Sequence, residues 1–150
     1  MLKQITMGIL TIFLLISVTT KAQGKLGFVG KIFDKKEATI LFGEVKSSSE
    51  LKSNVLKQAL LKAKDYVLIT VRNGKISLAN EKKQVLAGDL QPISTTETVY
   101  IFGKDKVAEF ITLIGSSAIQ VEQRNATLTI TAADYTLEFA TLCPPLCLDR

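Results

Sequence analysis

The sequence predicts an α+β domain with two helices packed on antiparallel sheet, and three observations carry that prediction. Two segments place apolar residues at helical spacing, two others alternate about tight turns, and the order strand, helix, hairpin recurs at a period of 50 to 60 residues. Each copy, of about 55 residues, is marginal for folding alone, so one domain built by internal duplication is expected. The expected boundaries are 1–22 for a signal peptide, 23–92 for a first β-α-β-β(-β) copy, 93–142 for a second β-α-β-β-β copy, and 143–150 for a cysteine-bearing tail.

The chain opens MLKQITMGILTIFLLISVTTKA. Lys3 gives a short positive region, Ile5 to Val18 is an almost unbroken apolar run, and Thr20-Lys21-Ala22 is a small-x-small cleavage site before Gln23. The run is short of the roughly 18 residues that span a bilayer. The expected product is therefore cut between Ala22 and Gln23 and exported to the periplasm or beyond, with no stable membrane span. No cysteine follows the apolar run, which excludes a lipid-modified cysteine there. Cleavage lowers the formal charge from +5 to +3, since Lys3 and Lys21 leave with the signal. The remaining charge is uneven: Lys25 to Lys83 holds 13 basic and 6 acidic residues, while Gln84 to Arg150 holds 4 and 8. Solvated faces are the plain reading of that asymmetry, and halves or molecules that face one another are the sharper one.

GKLGFVG (24–30) has the glycines of a poor dinucleotide loop but no preceding strand and no helix opening after it, so it reads as an N-terminal segment running into a strand. TILFG (39–43) reads as a strand. Ser47 and Glu50 then have capping-box spacing ahead of a helix in which Leu51, Val55, Leu56, Ala59, Leu60 and Ala63 form the apolar face, with Lys52, Lys57 and Lys64 turned away. In YVLITVRNGKISLA the Asn73-Gly74 pair suits the positive φ angles of a type I′ turn. A two-residue loop there sets Arg72 opposite Lys75, Val71 opposite Ile76 and Ile69 opposite Leu78, which puts the aliphatics on one face. AGDLQPIST (87–95) is the expected connector between copies.

The second copy begins with the strand VYIFG (99–103), which aligns with TILFG at an offset of 60. A helix from near Asp105 carries Val107, Phe110, Ile111 and Ile114, and Gly115 ends it. A turn at Asn125-Ala126 sets Gln123 opposite Leu128 and Val121 opposite Ile130. A second turn at Ala133-Asp134 brings back Tyr135, Leu137 and Phe139 on the same apolar face. The hairpins align at an offset of 52, which matches Arg72-Asn73 to Arg124-Asn125.

Several chemistries lack their residues. With no histidine in the chain, the usual general base and the commonest metal ligand are missing. The 14 acids sit mostly at polar strand positions or turns, as Glu122, Glu138 and Asp134 do, and read as solvated. Phe102-Gly103-Lys104 lacks the earlier glycine of a phosphate-binding loop. Asn125-Ala126-Thr127 fits a glycosylation acceptor, but a hairpin turn already explains Asn125. No aromatic-basic ladder accompanies the lysines, so nucleic acid is not an expected partner. A polyanionic envelope surface is a better contact for Lys52, Lys57, Lys62 and Lys64, with plain solvation as the default.

Both cysteines, Cys143 and Cys147, lie in the closing LCPPLCLDR. An exported location and an even count favour a disulfide. An extended Pro144-Pro145 would hold the Cα atoms roughly 12 Å apart, whereas a disulfide tolerates at most about 7 Å, so pairing demands a turn. Two thiolates cannot complete a zinc site, and the chain after Gln23 has neither histidine nor methionine to help. Two-coordinate Cu(I), a redox couple, and free thiols or a bond to another chain stay open. The reading as a whole is a small non-catalytic exported protein without cofactor, an interaction or structural module of a bacterial cell envelope that meets an envelope protein or surface polymer. The alternative is a thiol-based redox or copper-binding role at Cys143 and Cys147.

Overall fold

A computed structural model describes residues 29–125, 127–138 and 141–143. The elements run β1 (Lys31–Asp34), α1 (Lys35–Phe42), β2 (Ser47–Leu51), α2 (Ser53–Lys62), β3 (Tyr66–Arg72), β4 (Lys75–Ala79) and β5 (Val85–Gly88), then β6 (Val99–Gly103), α3 (Lys104–Ile114), β7 (Ile119–Gln123), β8 (Leu128–Ala132), β9 (Tyr135–Glu138) and β10 (Thr141–Cys143). Three helices pack on two five-stranded antiparallel sheets in one α+β domain. The first sheet is ordered β1-β9-β8-β7-β2 and the second β10-β6-β3-β4-β5.

Both hairpins fall in the expected register. Asn73 and Gly74 have φ of 51° and 76°, and Arg72, Val71 and Ile69 face Lys75, Ile76 and Leu78. In the other sheet Gln123 faces Leu128 and Val121 faces Ile130, while the Arg124 amide donates to the Thr127 carbonyl at 3.0 Å. Ala126 and Phe139 lie outside the described residues. Leu137 is buried on the expected face, but Tyr135 is exposed at the mouth of its turn.

Three expectations are overturned in the stretch from 34 to 51. TILFG is no strand: residues 39–42 are the last turn of α1, and Gly43 ends it with φ 81°. Asp34 caps this helix by accepting from the Lys36 amide at 2.7 Å, and Glu37 sits in its first turn. Ser47 and Glu50 form no capping box. They belong to β2, opposite Gln123 and Gln120 of β7, and α2 starts after Lys52 without a side-chain cap. Leu51 is buried as expected, but from the end of a strand. Among the described residues the helix count is accordingly three.

Finding β2 also changes how the halves correspond. The order strand, helix, three-strand meander holds for β2-α2-β3-β4-β5 and for β6-α3-β7-β8-β9, and matched elements start 50 to 53 residues apart. The counterpart of VYIFG is thus SSSEL (47–51), and the offset of 60 disappears. Each leading strand pairs with the other half's meander: β2 with β7, and β6 with β3.

The inner faces of both sheets share one core with α2 and α3. Leu56 and Ala59 of α2, Val107, Phe110 and Ile114 of α3, Val67, Ile69 and Leu78 of one sheet, and Ile119, Leu128, Ile130 and Leu137 of the other are all buried in it. Burying each large aliphatic or aromatic side chain contributes about 1.5–3 kcal/mol. Each outer face is covered by the segment that precedes a leading strand. Residues 89–98 lie over the second sheet, where Ile93 packs with Leu68, Ala79, Val99 and Ile101. Over the first sheet lies α1, whose Ala38 is fully buried.

Candidate functional site

The cysteines and the cleavage site read from the sequence lie at the end of the described residues or outside them. Cys143 is the last residue of β10, opposite Val99 on an edge of the second sheet. Cys147, Ala22 and Gln23 lie outside the described residues, so the pairing of Cys143 with Cys147 is not tested, nor is the cleavage. Among the described residues no group of three His, Cys, Asp or Glu could hold a metal, and no helix is long and apolar enough to cross a membrane.

The acids expected on a solvated face are buried instead, which corrects the reading of Glu122 and Glu138. Strand alternation sends Ile119 and Val121 inward and Gln120 and Glu122 to the outer face, with Arg124 just past the end of β7. Beneath α1 that outer face is closed from water, and Glu122 is 7% and Arg124 1% exposed. Arg124 Nη2 donates to Glu122 Oε2 at 2.8 Å, Nε to Thr129 Oγ1 at 3.2 Å, and Nη1 to the Gly43 carbonyl at 2.6 Å. Thr131 Oγ1 donates to Glu122 Oε2 at 2.9 Å, and Thr127 Oγ1 donates to Glu138 Oε1. Asp134 is exposed in its turn, as expected.

The second sheet repeats the device. Arg72 donates to the carbonyls of Pro92 at 3.0 Å and Gln91 at 2.9 Å and to Ser77 Oγ at 2.9 Å. Its Nε lies 3.4 Å from Glu97 Oε1, which also accepts from Thr70 Oγ1 at 2.8 Å. Thr70, Arg72 and Ser77 precede Glu122, Arg124 and Thr129 by 52 residues each. Each arginine thus ties the backbone of a covering segment to a sheet and finds a carboxylate beside it, from the strand in one case and from the cover in the other.

A general acid or base must reach a substrate proton. The Glu122 carboxylate is filled by an arginine and two threonines under a helix, so its chemistry is cohesion. One signal for this was present in the sequence. The outer positions of β8 and β9 carry Thr129, Thr131 and Thr136, short hydroxyls suited to a buried polar layer, where a solvated sheet face carries long charged side chains.

Open surface lies elsewhere. Between α2 and α3 runs a groove of about 480 Å³ lined by Lys57, Leu60 and Leu61 from one helix and Lys104, Ala108 and Ile111 from the other. Both triplets follow helical periodicity, i, i+3, i+4 and i, i+4, i+7, so each wall is a ridge along one helix. Leu60 and Ile111, on the expected apolar faces of their helices, are half-buried groove walls packed against the core, and Leu61 is 84% exposed. Lys104 Nζ donates to the Ala63 carbonyl at 2.7 Å, which seats its charge at the C-terminal end of α2. A second, more polar cleft of about 680 Å³ lies where Asp34, Lys35, Lys36, Thr39 and Ile40 of β1 and α1 meet Asp134. Its Asp34 carboxylate is engaged in capping the helix.

No protein-family model matches the chain, and no curated protein or solved structure does either. The geometry alone therefore carries the functional reading.

Proposed function

We propose that the protein is a small exported module of a cell envelope that works by binding a partner, an envelope protein or a surface polymer, and not by catalysis. The observation that carries this reading is the contrast between its two kinds of surface. The buried carboxylates Glu122 and Glu138 accept hydrogen bonds from Arg124 and neighbouring threonines beneath α1, whereas the α2–α3 groove presents aliphatic side chains to solvent with a lysine on each wall. The groove sets the exposed Leu61 beside the half-buried Leu60 and Ile111, an apolar strip that a partner would cover. The opening apolar run supplies the export address, and the repeated order of elements fits an internal duplication that built a rigid two-helix platform.

The test is a panel of hydrolase and transferase substrates offered to purified protein 23–150, with Glu122→Gln and Glu138→Gln alongside. No turnover above the buffer blank is expected from any of the three. Turnover lost in either variant overturns the reading. Sequencing of the exported form is expected to begin at Gln23, and a full-length polypeptide held in the cytosol contradicts the export.

A further inference from the structure

We infer that the α2–α3 groove is the docking site for an acidic amphipathic helix of a partner protein, an assignment that rests on the binding role proposed above. Three observations select this occupant. First, the walls are helical ridges, and the natural filler of a groove between two helices is the ridge of a third. Second, the groove is open to solvent. A helix with a polar back completes it, whereas a bare alkyl chain leaves one side in water.

Third, the charges bracket the apolar strip. Lys104 sits at the end of α2 marked by Ala63, and Lys57 lies six residues earlier, about 9 Å along the axis at 1.5 Å per residue. Leu60, Leu61, Ala108 and Ile111 fill the space between. Two carboxylates seven residues apart on one helix face span about 10 Å and meet both ammonium groups, with aliphatics at the third and fourth positions between them. A fatty acid brings a single anionic head and leaves one lysine unmatched. A second copy of the chain sets lysines against lysines. Neither Asp105 nor Glu109 of α3 lines the groove, and Glu109 is paired with Lys106 at 2.6 Å. Lys57 makes no hydrogen bond or ion pair among the described residues and is free to meet a carboxylate.

The experiment is a fluorescence-anisotropy titration of purified protein 23–150 against a labelled 18-residue designed helix with glutamates seven apart flanking two leucines. The same helix with lysines in place of the glutamates serves as control. Saturable micromolar binding is expected for the acidic helix alone, weakened by about tenfold or more in Leu61→Glu and several-fold in Lys57→Glu, and falling as salt rises. Leu113→Glu, at an exposed position outside the groove, should leave it unchanged. Both groove substitutions sit on the surface, and circular dichroism checks that the fold is intact. Three results overturn the inference: no saturation below millimolar, equal affinity for the basic helix, or indifference to both groove variants. Palmitate displacing the peptide at stoichiometric concentration assigns the groove to an amphiphile. Dimers that dissociate in Leu61→Glu assign it to a second copy. Each of these rejects the helix while the binding role stands; only Glu122- or Glu138-dependent turnover rejects the role itself.

Discussion

Arg124 is among the bulkiest fully buried side chains in the protein, and its position decides what its charge does. A guanidinium in a low-dielectric site is tolerated only with its donors filled, and here a carboxylate, a hydroxyl and a carbonyl fill them. Arg124→Ala therefore leaves Glu122 buried and unpaired and should cost about 3–5 kcal/mol in urea unfolding. Arg72→Ala, whose side chain is a quarter exposed, should cost only about 1–2 kcal/mol. Equal losses at the two sites would contradict the buried-pair account. The sequence showed the matched arginines, through the 52-residue offset, but not their burial, because burial depends on which segment lies over the sheet. Only the threonines of β8 and β9 hinted at it.

A second residue-scale effect is electrostatic. Burial works against the charged form of Glu81, but amides of Asp65, Glu81, Tyr66 and Lys64 together outweigh it and hold its pKa below the ordinary 4.5. The Asp65 and Tyr66 amides lie 2.6 and 2.8 Å from Oε1. A carboxyl depressed in the folded state adds stability that is present above its unfolded pKa and lost as pH falls through the folded one. Wild type should thus exceed Glu81→Gln in stability at pH 7, and the gap should close on acidification below about pH 4. A gap that widens in acid would reverse the sign.

At the scale of elements, what the sequence disclosed depended on whether the stabilising interaction was local. The hairpins about Asn73-Gly74 and Asn125 were readable to the residue, since turn and aliphatic pattern specify the same register. The helix α3 was readable from Val107, Phe110 and Ile114 to its glycine stop. The strand β2 was not. Ser47 to Glu50 carry no apolar alternation and become a strand only because β7, some 70 residues on, offers its edge. Such tertiary pairing overrides a plausible cap. In α1 the β-branched Thr39 and Ile40 imitate a strand, while the local signal, Asp34 three residues before Glu37, went unread. Asp34→Ala should cost about 1 kcal/mol and reduce helical circular dichroism. No loss of either would argue against that cap. The groove followed the same rule: Leu60 and Ile111 were legible as members of the apolar faces of their helices, where they pack against the core, but periodicity cannot tell the rim of such a face from its centre.

The whole molecule is held together by exchange between its halves. The first half's leading strand completes the second half's meander, and the reverse holds for β6 on β3. Both helices then bury into one core shared by the two sheets. The same exchange makes the groove, since one wall comes from each half. Helices packed on antiparallel sheet were legible in the sequence, but the interlock was not, because no local signal says whether a strand joins its own meander or its neighbour's. The working surface proposed above exists only if this interlock does.

The most direct measurement is fragment complementation. Polypeptides 23–92 and 93–150 are prepared separately, then mixed, and followed by circular dichroism and size. Each alone lacks two strands of its own sheet, β6 and β10 in one case and β1 and β2 in the other, and half of the shared core, so each should be largely unfolded. A one-to-one mixture should recover native ellipticity and a single cooperative transition. Cooperative folding of either fragment by itself, with nothing gained on mixing, would contradict the interlocked fold and the groove built on it.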